Sequence, residues 1–158
     1  MTDREPPRLR AAYAAFEGLQ TRWTDNDQYG HIYNATYYTL FDEAMTRALA
    51  AIGLPDPAPG KPILVVVENG CTFFRELSYP DALTVGLSVT RLGRASIRVE
   101  MGMFRDEDQD EAARAYFTLV TVDATTRRPL PTPPDDRARL AALMPAGARP
   151  AQVGAVAG

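Results

Sequence analysis

Between Asn34 and Ile52 the apolar residues Tyr37, Leu40, Phe41, Ala44, Met45, Ala48, Leu49 and Ile52 recur at spacings of three and four. That spacing predicts an α-helix over residues 34–52. Thr36, Thr39, Asp42, Glu43, Thr46 and Arg47 fill the rest of its surface. The apolar stripe is wide, so the helix has to be buried over most of its circumference. Its ends are marked. Asn34 is expected at the N-cap, where its side-chain oxygen can accept from an unpaired backbone N–H. Gly53 suits the left-handed residue after the last turn, and Pro55 blocks continuation.

The rest of the chain offers strands to cover that helix. Residues 16–23 read as a weak strand with Leu19, Thr21 and Trp23 on one side. Residues 54–62 are a proline-rich loop. Residues 63–75 read as a long strand whose first half, Ile63-Leu64-Val65-Val66-Val67, is apolar on both faces. Leu83, Val85, Leu87 and Val89 then alternate with polar or small residues, and Ile97, Val99, Met101 and Met103 do the same. This period of two predicts an antiparallel pair joined at Leu92-Gly93-Arg94. Residues 106–111 form an acidic turn, and 113–123 a further strand, read as apolar on both faces. A short helix is expected to start at 133–135 and run to Leu143. The order is strand, long helix, four strands. A twisted antiparallel sheet curling round the helix satisfies it, giving an α+β fold. Strands apolar on both faces need a second cover, for which a partner subunit is the economical choice.

Composition narrows the class. The chain has 158 residues, 46% hydrophobic and 23% charged, which suits one domain with a core of its own. The boundaries expected are a loose leader at 1–12, a single domain at 13–144, and a small-residue tail at 145–158 read as disordered. The net charge of -3 argues against a general grip on nucleic acid. Lys61 is the only lysine, so local cation sites must be built from arginine, whose fork matches phosphate. With Cys71 the only cysteine, neither an intrachain disulfide nor a cysteine-based zinc site can form. No apolar signal core opens the chain, and no run approaches a membrane span. A cytoplasmic protein that uses no membrane is the expectation.

The densest chemistry lies just before the helix, in Trp23-Thr24-Asp25-Asn26-Asp27-Gln28-Tyr29-Gly30-His31-Ile32-Tyr33-Asn34. One short turn holds two acids, a glycine, the only histidine and the helix-starting asparagine. With a single histidine in the chain, a histidine-built metal site is not expected.

The run from Asp25 to Asn34, followed by Tyr37 or Tyr38 and the helix, resembles the turn of the hot-dog fold. Within that fold it resembles the 4-hydroxybenzoyl-CoA thioesterase-like acyl-CoA thioesterases. Tyr79-Pro80-Asp81-Ala82-Leu83 and Arg91-Leu92-Gly93-Arg94-Ala95-Ser96 carry the resemblance further, over about residues 16–140. It implies a hot-dog fold: a long central helix wrapped by a roughly five-stranded antiparallel sheet. It also implies a homodimer or dimer of dimers with sites at the subunit interface, and an acyl-CoA or acyl carrier protein thioester as substrate. By motif position the resemblance implies Asp27 as the catalytic carboxylate, acting as general base or nucleophile, and the backbone N–H of Asn34 as the donor that polarises the thioester carbonyl.

That chemistry is coherent. Thioester hydrolysis needs a base or nucleophile and a donor for the developing oxyanion. A helix N-terminus supplies unpaired N–H groups and positive dipole density. Gly30 lets the backbone bend tightly. Asp25 and His31 are read chiefly as holding the turn, with a direct proton-transfer role for His31 the lesser reading. No metal is called for, because a thioester is already activated and a thiolate leaves readily, and no separate cofactor, because coenzyme A is part of the substrate. Arg91, Arg94, Ser96, Arg127 and Arg128 fall at strand ends and are candidates for its phosphates. Glu68, Asn69 and Thr72 are candidates for the pocket or the dimer seam, and Tyr37 for substrate binding through the size of the acyl pocket. Tyr38, Leu40, Phe41, Phe73 and Phe74 are candidates for setting the acyl pocket's size. Cys71 lies in a strand and is read as a buried structural thiol. A Gly-x-Ser-x-Gly elbow is absent, which disfavours a serine hydrolase. Alternatives on the same scaffold are a hydratase or dehydratase acting on acyl thioesters, and a non-catalytic acyl-CoA binding protein. Glu43, on the polar side of the helix, is the carboxylate that a different site architecture would use.

Overall fold

The computed structural model describes residues 4–148. Five strands form one antiparallel sheet: β1 (Ala15–Gln20), β2 (Ile63–Phe73), β3 (Ala82–Leu92), β4 (Ser96–Arg105) and β5 (Ala113–Val122). Their order across the sheet is β1-β3-β4-β5-β2. The helix α1 (Asn34–Ala51) lies on one face, and a short α2 (Pro134–Ala141) follows the last strand. Among the described residues no helix is long and apolar enough to cross a membrane.

Helix α1 buries the stripe expected of it. Tyr37, Leu40, Phe41, Ala44, Met45, Ala48 and Leu49 are all buried. They pack into one core with Leu19, Val85, Leu87, Val89, Ile97, Val99, Met101, Met103, Ala115, Phe117 and Leu119. The helix closes on Gly53, whose φ is +80°. The Gly53 N–H donates to Ala50 O (3.0 Å) and the Leu54 N–H to Leu49 O (2.9 Å), which satisfies two of the last carbonyls.

Four local expectations are corrected. The first strand ends at Gln20, because β3 begins at Ala82 and Gln20 is the last residue with a pairing partner. Trp23 instead starts a 3-10 turn (Trp23–Asp25) and is 78% exposed. The buried Asp25 carboxylate closes that turn by accepting from the Arg22 N–H (2.7 Å) and guanidinium (2.9 Å). At the start of α1, Tyr33 occupies the cap position and Asn34 is the first helical residue. Strand β5 buries Ala113, Ala115, Phe117 and Leu119, while Arg114, Tyr116, Thr118 and Val120 on the other face stay half-buried. Strand β2 is an edge strand, and in the single chain Val66 and Val67 are exposed.

The fourth correction concerns the leader. Residues 4–14 are tied to the outer face of the sheet. The Arg8 N–H donates to Glu111 Oε1 (2.9 Å), and the Arg8 guanidinium reaches Glu100 (2.9 Å). Arg10 donates to the carbonyls of Asp108 (2.8 Å) and Asp106 (2.6 Å). Glu111 is fully buried. It accepts from Tyr13 Oη and from Arg114 Nε (2.7 Å). Burial, with Glu111 beside it, pushes the Tyr13 phenol well above its ordinary range, so it stays a donor. Glycines at the paired positions 86 and 102 make room for this strap. The tail expected at 145–158 is described only to residue 148, and its remainder lies outside the described residues.

A Cβ on Gly102 would lie 2.6 Å from Tyr13 Oη and against the Glu111 carboxylate. Gly102→Ala should therefore lower stability by about 1–3 kcal/mol, the cost of overpacking a filled site. Urea unfolding measures this; a midpoint equal to the parent's contradicts the packing of the strap.

Candidate active site

The turn before α1 is stitched at both ends. The Tyr33 N–H donates to Asp25 O (2.9 Å), and the Ile32 N–H to Leu77 O (2.7 Å). Asn26 Oδ1 accepts from the Tyr79 N–H (2.9 Å). The loop tip thus hangs between α1 and the segment that follows β2. Within it the Asp27 N–H donates to His31 O (2.7 Å) and the Gly30 N–H to Asp27 O (3.2 Å). Gly30 has φ +81°, a conformation that residues with a Cβ adopt at a cost.

The Asp27 side chain is held by the same turn. Its Oδ1 accepts from the Tyr29 N–H (2.8 Å), with a longer approach from the His31 N–H (3.4 Å). Its Oδ2 has no partner among the described residues, which leaves one carboxylate oxygen free. Two donors of the first helical turn are already taken. The Ala35 N–H goes to Asn34 Oδ1 (2.9 Å) and the Thr36 N–H to Tyr33 O (2.8 Å). The Asn34 N–H meets no acceptor among the described residues. Asp27, with one carboxylate oxygen unengaged, and Asn34, the first residue of the helix, border the same space.

That space is a cavity of about 560 Å³. Asp27, His31, Asn34 and Tyr37 line it, with Tyr29, Ile32, Tyr33, Phe73, Phe74, Arg75 and Glu76. Five of these are aromatic, so the walls are largely apolar with polar groups converging at the turn. Tyr37 is buried and sets its ring edge-on to Phe73, with centroids 4.9 Å apart. Burial pushes its phenol up to about 12, so it remains protonated at neutral pH. His31 Nε2 lies 2.9 Å from Glu76 Oε2. The Cys71 thiol is likewise pushed up to about 12 by burial, which makes it a poor nucleophile near neutrality.

Asp27, Gly30, His31, Asn34 and Tyr37 thus come together. Arg91, Arg94 and Ser96 sit at the β3–β4 turn, where the Gly93 N–H donates to Ser96 O (2.8 Å). Arg127 and Arg128 sit after β5, where the Asp123 N–H donates to Arg128 O (2.9 Å). Within one chain both sets are at the far end of the sheet. Ile63 pairs with Val122 there, whereas Phe73 pairs with Ala113 beside the cavity. Ten strand residues at about 3.3 Å each separate the two ends by roughly 30 Å. A bulge between Val66 and Glu68 sets the facing of the rest of β2. Glu68 turns to the outer face, near Tyr116 Oη (3.3 Å) and Arg98 (3.9 Å). Thr72 shares that face by alternation. Asn69 faces α1 and lines a second cavity with Tyr38, Thr39, Asp42 and Phe117. Leu40 and Phe41 belong to the core. Arg75 and Glu76 were not among the sequence candidates. They reach the cavity only because the Ile32–Leu77 hydrogen bond joins two segments distant in the chain.

The family model of the thioesterase-like superfamily matches residues 21–140. The 1,4-dihydroxy-2-naphthoyl-CoA hydrolase of Synechococcus elongatus is 27% identical over 114 residues, 70% of this chain and 84% of that protein. The crystal structure of the PA5185 protein of Pseudomonas aeruginosa superposes with a TM-score of 0.83 at 37% identity, covering 88% of this chain and 97% of that one. A Thermus thermophilus thioesterase solved with coenzyme A and zinc gives a TM-score of 0.71 at 27% identity, covering 84% and 95%. With its long helix wrapped by a five-stranded antiparallel sheet in the hot-dog manner, the chain belongs to the thioesterase-like superfamily.

Proposed function

We propose that this chain hydrolyses an acyl-CoA thioester at the turn before α1, with Asp27 as general base. The observation that supports the reading is that Asp27, whose Oδ2 has no partner among the described residues, and Asn34, at the start of α1, line one cavity. The thioester carbonyl oxygen accepts from the Asn34 N–H, where the helix dipole also favours negative charge. Asp27 takes a proton from water as the water oxygen bonds to the carbonyl carbon. Collapse of the tetrahedral intermediate breaks the C–S bond and releases the CoA thiolate, which recovers the proton. The products are the free acid and CoA. Tyr29, Tyr33, Tyr37, Phe73 and Phe74 form the wall available to the acyl group. A relative that acts on an aryl-CoA thioester and a neighbour that holds coenzyme A support this substrate class.

The working unit in this reading is a homodimer. Strand β2 exposes Val66, Val67 and an unpaired backbone edge. Such an edge invites another strand. Antiparallel pairing of two β2 edges would bring the Ile63 end of one chain toward the Phe73 end of the other. Arg127 and Arg128 would then approach the partner's cavity, as a phosphate site should.

Two outcomes are expected. Asp27→Asn should lower kcat for acyl-CoA about 10²–10⁴-fold, the range for loss of a positioned base, with the KM little changed. Thiol release over a panel of acyl-CoAs measures this, and turnover at the parent rate would place the base elsewhere. Replacing Arg127 and Arg128 together by alanine should raise the KM several-fold for CoA thioesters and leave pantetheine thioesters, which lack the nucleotide, unchanged. Equal effects on both would separate these arginines from the phosphates.

A further inference from the structure

His31 and Glu76 are the hydrogen-bonded pair of the cavity that the mechanism above leaves unused. His31 Nε2 lies 2.9 Å from Glu76 Oε2, and both side chains line the cavity bordered by Asp27 and Asn34. The His31 backbone belongs to the Asp27 turn: its carbonyl accepts from the Asp27 N–H at 2.7 Å. The imidazole and the carboxylate are therefore carried by one rigid piece of chain. Arg75 lines the same wall, but its guanidinium is held by the Asp110 carbonyl (2.5 Å) and lies 3.6 Å from Asp108. It does not compete for Glu76. Glu76 is 74% exposed, and an ion pair at such a site adds little to stability. Its place at the cavity needs another account.

A carboxylate on one imidazole nitrogen decides the tautomer. With the proton on Nε2 and facing Glu76, the lone pair is on Nδ1. We infer that Glu76 is a positioning residue that fixes His31 as the Nε2–H tautomer, so that Nδ1 and Asp27 together seat the attacking water. The inference rests on the hydrolytic reading above. Water has two O–H groups. One donates to Asp27 Oδ2 and gives up its proton as the oxygen bonds to the carbonyl carbon. The other donates to His31 Nδ1 and keeps its proton. With both O–H groups committed, the oxygen lone pair faces the carbonyl, and less orientation remains to be found on the way to the transition state.

Because His31 is the only histidine, one set of imidazole resonances reports on it. In long-range proton–nitrogen spectra of the full chain at about pH 8.5, above the ordinary imidazole range, the parent should show Nε2 protonated. Glu76→Ala should show a mixture of tautomers. The same variant should lower kcat about tenfold with the KM within about twofold, the pattern of lost orientation rather than lost binding. The double variant His31→Ala, Glu76→Ala should be no slower than His31→Ala alone, since the two act as one unit. Identical imidazole shifts in parent and Glu76→Ala, or losses that multiply in the double variant, overturn the inference. If the parent turns over no thioester at all, the hydrolytic reading fails, and the tautomer measurement still decides the Glu76–His31 pairing.

Discussion

Helix α1 carries one apolar stripe from Tyr37 to Leu49, and the fold is the arrangement that keeps that stripe from water. Burial is confined to the stripe rather than extending over most of the circumference, since Thr39, Asp42, Glu43, Thr46 and Arg47 stay exposed. One face of the sheet meets the helix through Val85, Leu87, Val89, Ile97, Val99, Met101 and Met103, and the strands curl to extend the contact. Phe41 and Ala44 are fully buried in that contact. Removing a buried phenylalanine side chain from such a core costs about 3–5 kcal/mol. That cost is comparable to the whole stability of a small domain. The helix therefore has little freedom to move relative to the sheet.

The rigidity matters because the candidate chemistry hangs on the helix N-terminus. α1 starts at Asn34, and the chain enters it through a loop pinned at Asp25, Asn26 and Ile32. The free Asn34 amide and the Asp27 carboxylate are positioned by backbone hydrogen bonds rather than by long flexible side chains. Donors fixed before the reaction need little reorganisation when charge develops. On the opposite face of the sheet, the strap of residues 4–14 and the buried Glu111 brace β3 and β4. The brace reaches the cavity end of the sheet: Arg4 donates to the Phe73 carbonyl, and the N–H groups of Phe74 and Arg75, in the cavity wall, donate to Ala112 O (2.8 and 3.0 Å), the residue after Glu111.

What was legible in the sequence was what is local. The period of three and four gave α1, and the period of two gave β3 and β4, because each follows from neighbours along the chain. Asp27, Gly30, His31 and Asn34 could be read together because they share one turn. The strap could not, since Arg8, Arg10 and Tyr13 find their partners about a hundred residues away. Trp23 continued an apparent alternation past the point where β1 loses its partner. Glu76 meets His31 because the Ile32–Leu77 hydrogen bond joins two segments distant in the sequence, which no spacing rule reveals. The arginines at 91, 94, 127 and 128 were correctly expected at strand ends, but which end of the sheet they occupy is decided by topology. The outward turn of Glu68 and Thr72 depends on a bulge that the apolar run conceals.

The central claim is that a thioester carbonyl sits between Asp27 and the Asn34 amide. A crystal structure with a CoA ketone, in which a methylene separates carbonyl and sulfur and hydrolysis cannot occur, tests it most directly. The account predicts the ketone oxygen within hydrogen-bond distance of the Asn34 N–H, and Asp27 Oδ2 facing the carbonyl carbon across a water. A ketone bound elsewhere, or bound here with its oxygen turned away from the start of α1, would contradict it.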